Sequence, residues 1–246
     1  MKRINVAILF VALLLFTGCI NQPKVPKYNI VPSDKVGYII ESSAEVSHGH
    51  MGTTIFTNFE KNCPVNWHLE NVIDEQLHNN VKREFINLKD KGIALSDITD
   101  MIMAEDGKWV LKNENIYKKL REELGLKAIL VIQQRETYIE TGRDPIVMSK
   151  SGIASHNFLG LKRYYAVSAY STKLYLLKPI AVIPQKFVAK TNIIYDNVLT
   201  SFQEKSGFTK PMDNENITAN ELLSVKDDVV KILDKMTSNL DSLLAN

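Results

Sequence analysis

The pattern of apolar and polar positions predicts two strands and a long helix in the first half of the chain. Residues 36–42 form a short β-rich run, and residues 53–59 alternate weakly, so both are predicted strands. Residues 66–91 carry apolar side chains at spacings of three and four, which predicts one amphipathic helix, capped by Asn66 and ended by Gly92. Its apolar stripe consists of Leu69, Ile73, Leu77, Val81, Phe85 and Leu88.

The second half of the chain mixes helical and extended patterns. Residues 114–124 predict a shorter helix that ends at Gly125. Residues 128–132 follow as a continuous apolar run, which is typical of a strand buried on both faces. Residues 164–177 and 180–191 predict two antiparallel strands, and the first of them is rich in tyrosine, as sheets favour.

The remaining segments complete the predicted architecture. Residues 133–163 predict a hairpin or a long excursion from the sheet. Thr218 and Glu221 form a capping box that begins a last amphipathic helix. The order of elements predicts an α/β or α+β fold, with a single domain over residues 34–246. Its mixed sheet would have about five strands, packed by two long amphipathic helices and one shorter helix.

The first residues have the three parts of an export signal. Lys2 and Arg3 give a positive start, and the apolar run over residues 6–16 is too short to cross about 30 Å of hydrocarbon as a helix. The run ends in Leu15-Phe16-Thr17-Gly18-Cys19, which resembles the lipobox of bacterial lipoproteins. The alternative is an ordinary secretory leader with an incidental cysteine.

The lipobox resemblance implies a processed and lipid-anchored protein. Residues 1–18 would be a signal peptide, and Cys19 would carry a diacylglyceryl group and acyl chains that hold the protein in a membrane. Ile20, which stands where aspartate tends to retain such proteins in the inner membrane, favours the outer membrane facing the periplasm; a Gram-positive source stays open. Residues 19–33 contain three prolines and are predicted to be the lipidated cysteine and a tether.

The net charge of the mature chain indicates whether lipid or electrostatic attraction attaches it to a membrane. Because Lys2 and Arg3 belong to the leader, the mature chain keeps 28 of the 30 basic residues against 28 acidic ones. A neutral chain lacks the basic surface of a nucleic-acid binder, so no nucleic-acid partner is predicted. It also lacks the polybasic segment that binds anionic lipid, so the acyl chains on Cys19 are the predicted membrane attachment.

Two histidines form the densest cluster of chemistry-bearing residues. His48 and His50 lie in a glycine-punctuated segment over residues 47–52, which is predicted to be a turn. Side chains at i and i+2 of an extended chain point the same way, so the pair could share a metal ion. A third ligand would come from His68 or from the other nearby candidates, His78 and Glu60. One alternative is that they are turn or edge-strand residues at a surface. Another is an anion nest that uses the N–H groups of Gly49 and Gly52 with Thr53 and Thr54.

Three further features are candidates for binding. Cys63 is the cysteine that remains once Cys19 is modified. It could then form an intermolecular disulfide, or it could be an inert, half-buried thiol. A thiol enzyme would need His68 as base. Residues 141–163 could form a binding loop with Arg143, Asp144 and His156. The strand tyrosines favour core packing over a binding surface; they are Tyr164, Tyr165, Tyr170 and Tyr175.

The predicted order of elements is similar in outline to the small α/β domains of periplasmic assembly lipoproteins, such as the curli-secretion lipoprotein and the TolB amino-terminal domain. With the anchor, it predicts a non-enzymatic envelope lipoprotein, an accessory or an assembly or transport subunit, whose partners are envelope proteins or a second copy. Two alternatives stay open, a ligand-binding lipoprotein and a metal-dependent enzyme built on His48 and His50. No cofactor is predicted besides the covalent lipid.

Overall fold

The computed structural model describes residues 23–65, 67–140, 145–159, 161–184, 198–204 and 219–244. Several predicted features lie outside the described residues. They are the signal peptide with Cys19, the cap residues Asn66 and Thr218, and the loop residues Arg143 and Asp144.

Thirteen strands and five α-helices occupy the described residues. The strands are β1 (Lys35–Glu41), β2 (Glu45–Met51), β3 (Phe59–Pro64), β4 (Phe85–Asn87), β5 (Ile102–Glu105), β6 (Lys108–Leu111), β7 (Leu126–Gln134), β8 (Thr137–Glu140), β9 (Pro145–Met148), β10 (Gly152–Phe158), β11 (Leu161–Leu177), β12 (Ile180–Pro184) and β13 (Val198–Glu204). The helices are α1 (Leu69–Asn80), α2 (Leu95–Thr99), α3 (Glu114–Lys118), α4 (Ala219–Ser238) and α5 (Leu240–Leu244).

Nine strands of the described chain form one mixed sheet. Its order is β3-β2-β10-β11-β7-β1-β4, and β12 and β13 also pair with β11. β1 is parallel to β7 and β4, β2 is parallel to β10, and the other pairs in this sheet are antiparallel. The predicted mixed sheet of an α+β fold is confirmed, although it has more than the expected five strands.

The long strand β11 joins two halves of this sheet. Its residues 161–167 pair with β10 and its residues 165–171 with β13, whereas residues 170–176 pair with β7 and residues 173–177 with β12. Because β10, β7 and β1 all run opposite to β11 in direction, β10 ends at one end of the sheet and β1 begins at the other. At about 3.3 Å per residue, β11 spans up to roughly 50 Å.

Helices α1 and α4 cover one face of the sheet over the first cluster of the core. They run parallel to each other, because Gln76 of α1 donates to the Val230 carbonyl, and Asn80, one turn further along α1, donates to the Thr237 hydroxyl, two turns further along α4. The cluster includes Ile73, Leu77, Ile132, Tyr170, Val225, Val229 and Leu233. Burial of each such side chain contributes roughly 1.5–3 kcal/mol.

The opposite face carries two separate clusters. The second cluster lies under residues 88–124 and includes Ile39, Leu88, Ile98, Leu120, Ile129, Val131 and Tyr175. The third cluster lies under the β8–β9 hairpin and comprises Met51, Ile139, Ile146, Met148, Ala154, Tyr165 and Val167. The predicted hairpin within residues 133–163 is therefore present, and it packs on the sheet.

Part of the predicted tether packs on the domain. The Ile30 N–H donates to the Leu244 carbonyl at 3.1 Å, and the Tyr28 hydroxyl donates to the Leu243 carbonyl at 2.6 Å. Arg83 donates to the Ile30 carbonyl at 3.2 Å, and Ile30 itself is buried. The chain is thus fixed to the domain from Tyr28 onwards, beside the start of β1.

The predicted helix over residues 66–91 is wrong in its second half. α1 ends at Asn80, and Phe85–Asn87 form β4, which pairs with β1. Five of the six stripe residues are nevertheless buried; they are Leu69, Ile73, Leu77, Val81 and Leu88. The spacing therefore identified the buried positions, but residues 85–87 pair with the edge of β1 as a strand instead of continuing the helix.

The predicted turn over residues 47–52 and strand over residues 53–59 are also wrong. Glu45–Met51 form β2, which pairs with β10 and β3, while Ile55–Thr57 form a single 3-10 turn. Gly49 is required by close packing within a strand, since a Cβ there would meet Met148 Sδ at 2.6 Å and Ile146 Cγ2 at 2.8 Å.

None of the helices among the described residues has the length and apolar character that a transmembrane span requires.

Candidate functional site

His48 and His50 lie on β2 and share one hydroxyl from β10. Ser155 Oγ is 3.0 Å from His48 Nε2 and 2.7 Å from His50 Nδ1. The parallel register sets His50 directly opposite Ser155, and alternation along β2 sends His48 to the same face. All three side chains are buried, with exposed fractions of 1% for His48, 4% for His50 and 1% for Ser155. The prediction that His48 and His50 project to the same side of an extended chain is confirmed.

The aromatic ring of Phe59, on β3, packs against both imidazoles. Its ring stacks on His50, with centroids 5.1 Å apart, and meets His48 edge to face at 4.9 Å. The Ser155 hydroxyl has one proton and also lies 3.5 Å from the Gly49 carbonyl oxygen. At least one of the two imidazoles therefore donates its N–H to Ser155 Oγ.

The predicted third metal ligand does not join this pair. His68 is the residue before α1, with a left-handed backbone (φ 49°), and it makes no hydrogen bond that caps the helix. The described segments contain no group of three or more His, Cys, Asp or Glu side chains placed to hold a metal ion. A zinc site needs at least three protein ligands. The described residues thus do not form a metal site from His48, His50 and His68.

The alternative anion nest is also wrong. Gly49 lies inside β2, where its backbone belongs to the sheet, and the Gly52 N–H donates to Asn58 Oδ1 at 2.9 Å. An anion nest needs converging N–H groups that have no other acceptor. The Gly52 N–H has an acceptor, so it cannot serve in one.

A second polar cluster lies on the opposite face of β2. Ser47 Oγ is 3.1 Å from Glu60 Oε1 and 3.0 Å from Ser149 Oγ, and the Ser149 N–H donates to Glu60 Oε1 at 2.7 Å. Burial alone would raise the pKa of Glu60, but the hydrogen bonds from Ser149 and Ser47 and the nearby charge of Lys150 lower it below its usual value. These contacts tie β3 to the turn before β10.

Cys63 lies on β3, at the edge of the main sheet, and its side chain packs against the first cluster. Burial raises the pKa of its thiol, and the charge of Lys61 offsets this in part. A raised pKa reduces the thiolate fraction at neutral pH, which is the opposite of what a nucleophile needs. The intermolecular disulfide stays a prediction, because the thiol is half-buried on an edge strand and is not paired with any cysteine among the described residues.

The other predicted binding residues are separated from one another. His156 lies in β10 opposite Arg163, and not in a loop, while Arg143 and Asp144 lie outside the described residues. The strand tyrosines belong to the core, as favoured. Tyr164 and Tyr170 lie in the first cluster, Tyr175 in the second and Tyr165 in the third.

Ser155 was not predicted as a partner of the two histidines. Glu60, a candidate third metal ligand, instead contacts Ser47 and Ser149 on the opposite face of β2. Ser155 lies 105 residues after His50, and no local pattern connects two strands at that separation. The one available signal was the run of small and polar residues at 151–156, which departs from the alternation expected of a half-buried strand.

Comparison with known proteins gives distant similarities to solved structures, two of which are described below. No family model matches the chain, and no curated protein matches it. Protein XCC0632 from Xanthomonas campestris, of family DUF330, is 10% identical over 89% of this chain and 87% of that chain, with a TM-score of 0.39. The hypothetical protein CT253 from Chlamydia trachomatis is 12% identical over 83% of this chain and 98% of that chain, with a TM-score of 0.32. Values this low establish neither a shared family nor a shared function.

Proposed function

We propose that this protein is a lipid-anchored lipoprotein of the bacterial cell envelope that acts as an accessory or assembly subunit and not as an enzyme. The observation that carries the proposal is the succession of the lipobox-like Leu15–Cys19 and a short segment that becomes fixed to the domain at Tyr28. Eight residues lie between Cys19 and Tyr28, and the nine Cα-to-Cα steps from one to the other span at most about 30 Å. A lipid on Cys19 would thus hold the domain close to the bilayer.

This attachment would orient the domain on the membrane. Tyr28 and Ile30 are bound beside the start of β1, so that end of the sheet would face the bilayer. β2 and β10 finish at the opposite end, up to roughly 50 Å further along β11. The segment before Tyr28 is too short to bring that far end to the same membrane surface.

The far end exposes apolar side chains, which supports an accessory role. Phe56 and Ile55 are 91% and 74% exposed, and Leu159, in the turn between β10 and β11, is 75% exposed. Thr53 donates a hydrogen bond to the Asn157 carbonyl, which links the two turns. Exposed apolar residues gathered at one place are typical of protein–protein contact sites.

Replacing Cys19 tests the anchor. Cys19→Ser should abolish incorporation of labelled palmitate and move the protein from the membrane fraction to the soluble fraction, because no acyl chain can then be attached. Cys63→Ser is the matched control, since it removes the other cysteine and should leave labelling and membrane association unchanged. Persistent membrane association of Cys19→Ser, equal to that of wild type, would refute the anchor.

The accessory role is tested separately with the anchor intact. Affinity capture from detergent-solubilised membranes should recover an envelope protein with wild type, and much less of it with the double variant Ile55→Ser/Phe56→Ser. Recovery of the protein alone, or equal recovery of the partner with wild type and the double variant, would count against the accessory role. Neither result would bear on the proposed lipid anchor.

A further inference from the structure

Strand β3 lies at one end of the main sheet, and among the described strands it pairs with β2 alone. Val65, the residue after β3, donates its N–H to the Ala44 carbonyl, just before β2. Backbone groups of successive residues in a strand point to alternate edges, so the odd-numbered residues of β3 bond to β2. The even-numbered residues, Glu60, Asn62 and Pro64, therefore direct their backbone groups to the open edge.

This open edge presents a row of backbone groups that can form hydrogen bonds. The row contains the N–H groups of Glu60 and Asn62 and the C=O groups of Glu60, Asn62 and Pro64, and all three residues are exposed. Neither N–H donates a hydrogen bond within the part of the chain that the structure describes. Edge strands with such a row accept an additional strand from another chain. Pro64, which has no N–H, ends the row.

The side chains beside the open edge are apolar at both ends and positive between them. Phe59, Lys61 and Cys63 alternate along β3, so they lie on one face, and each is partly buried. Across the described residues, no Asp or Glu forms an ion pair with Lys61. A strand added at this edge would set its own side chains directly opposite these three. An acid opposite Lys61, with an apolar residue two positions to either side, matches them in charge and polarity.

The exposed apolar turn lies at one end of the same edge. Ile55 and Phe56 belong to the 3-10 turn that directly precedes β3. A strand added antiparallel to β3 would run past this turn with its carboxyl-terminal end. The turn and the open edge thus form one continuous surface, the β3 edge surface, which comprises residues 55–64.

A second copy of the chain fits the β3 edge surface less well than a different protein does. Two β3 strands that pair antiparallel would make the main strands of the two copies run in opposite directions. Their Tyr28 ends would then also point in opposite directions, which opposes attachment of both lipids to one bilayer. A register centred at Lys61 would in addition set two like charges directly opposite each other.

We propose that the β3 edge surface binds an extended segment of an envelope protein as an additional antiparallel strand. An acidic residue of that segment would lie opposite Lys61, and apolar residues would lie opposite Phe59 and Cys63. Backbone hydrogen bonds with Glu60 and Asn62 supply affinity in this mode of binding, and the alternate side chains supply selectivity. The inference rests on the proposed accessory role and names the chemistry of the partner.

Binding is tested on the full-length protein purified in detergent, with fluorescein-labelled Thr-Val-Thr-Glu-Thr-Val-Thr-amide as the probe. Its central acid would face Lys61, and its two valines would face Phe59 and Cys63. Fluorescence anisotropy should show saturable binding. The same peptide with lysine at its centre should bind about fivefold more weakly or worse, because like charges then lie opposite each other. Absence of saturable binding, or equal binding of the two peptides, overturns the proposal.

N-methylated peptides test the backbone hydrogen bonds. In the antiparallel register, the two threonines beside the central acid direct their N–H groups to the carbonyls of Glu60 and Asn62, whereas the valines direct theirs away. N-methyl groups on these two threonines should abolish binding, and N-methyl groups on the two valines should change it little. Equal binding of the two N-methylated peptides overturns strand addition.

Charge reversal at position 61 assigns binding to the β3 edge surface. Lys61→Glu should reverse the preference, so that the lysine peptide binds more tightly than the acidic peptide. Lys82→Glu, exposed after the end of α1, is the matched control and should keep the wild-type preference. If Lys61→Glu fails to fold, Lys61→Gln should abolish the difference between the two peptides. A wild-type preference in the folded position-61 variant overturns the site.

These results are distinguishable from failure of the accessory role. If the peptide does not bind while capture of an envelope protein still depends on Ile55 and Phe56, strand addition fails and the accessory role stands. If the peptide binds with the expected preference but capture recovers the protein alone, strand addition is supported and the accessory role fails. A stable dimer that forms without peptide and dissociates when the peptide is added would assign the surface to a second copy and overturn the proposal.

Discussion

The hydroxyl of Ser155 holds the two buried histidines, and its removal should have a large cost. Ser155→Ala abolishes the contacts of 3.0 Å to His48 Nε2 and 2.7 Å to His50 Nδ1. Each buried polar group that loses a hydrogen-bond partner costs about 1–3 kcal/mol. Because one substitution affects two ring nitrogens, we expect a loss of about 2–4 kcal/mol in the free energy of unfolding.

Ser168→Ala is the matched control for this experiment. Ser168 is fully buried on β11, but its Oγ has no hydrogen-bond partner in the part of the chain that the structure describes. The same substitution there removes a buried hydroxyl that gains nothing from folding, so we expect no loss and a gain of up to about 1 kcal/mol. The difference between the two variants isolates the hydrogen bonds from the change of side-chain volume.

Urea unfolding followed by tryptophan fluorescence measures this difference, since Trp67 is buried and Trp109 packs against the core. In a domain of this size, about 2 kcal/mol corresponds to a fall of roughly 4–8 °C in the unfolding temperature. If Ser155→Ala and Ser168→Ala differ by less than about 0.5 kcal/mol, the reasoning is refuted, because neither histidine would then depend on Ser155.

Two further predictions concern β2 and its surroundings. Gly49→Val should lower the free energy of unfolding by about 1–3 kcal/mol or more, because a Cβ there meets Met148 Sδ at 2.6 Å; urea unfolding that matches wild type would contradict this close packing. Glu60→Gln should lose its largest amount of stability above about pH 5, because a group whose folded pKa is lowered stabilises the protein above its unfolded pKa of about 4.3. The loss should shrink as the pH falls below about 4, and urea midpoints between pH 3 and 7 that differ by a constant amount would contradict it.

The sequence predicted which positions are buried better than which element each position joins. The stripe from Leu69 to Leu88 is buried almost as expected, yet residues 85–87 form a strand. The backbone hydrogen bonds that they make with the edge of β1 outweigh their local preference for a helix. The strand at residues 128–132 was predicted correctly, since a continuous apolar run permits burial on both faces.

The polar clusters could be predicted only in part. The i, i+2 spacing of His48 and His50 correctly places both rings on one face, but Ser155 reaches the rings only through strand pairing across the sheet. Glu60 likewise reaches Ser47, on the opposite face of β2, through strand pairing. The glycine between the histidines predicted a turn, because turns and close-packed strands both require the absence of a side chain. Only the three-dimensional neighbours Ile146 and Met148 distinguish the two cases.

The bond between Tyr28 and Leu243 has a consequence for the order in which the chain folds. The two residues are 215 positions apart, so Tyr28 emerges early in synthesis and gains its partner only after residue 243 has emerged. β1 likewise waits for β7. Contacts this distant in sequence slow folding and leave early strands unpaired for longer. An incompletely synthesised chain would thus keep its amino-terminal segment unbound, and binding of Tyr28 reports that the domain has been made through α5.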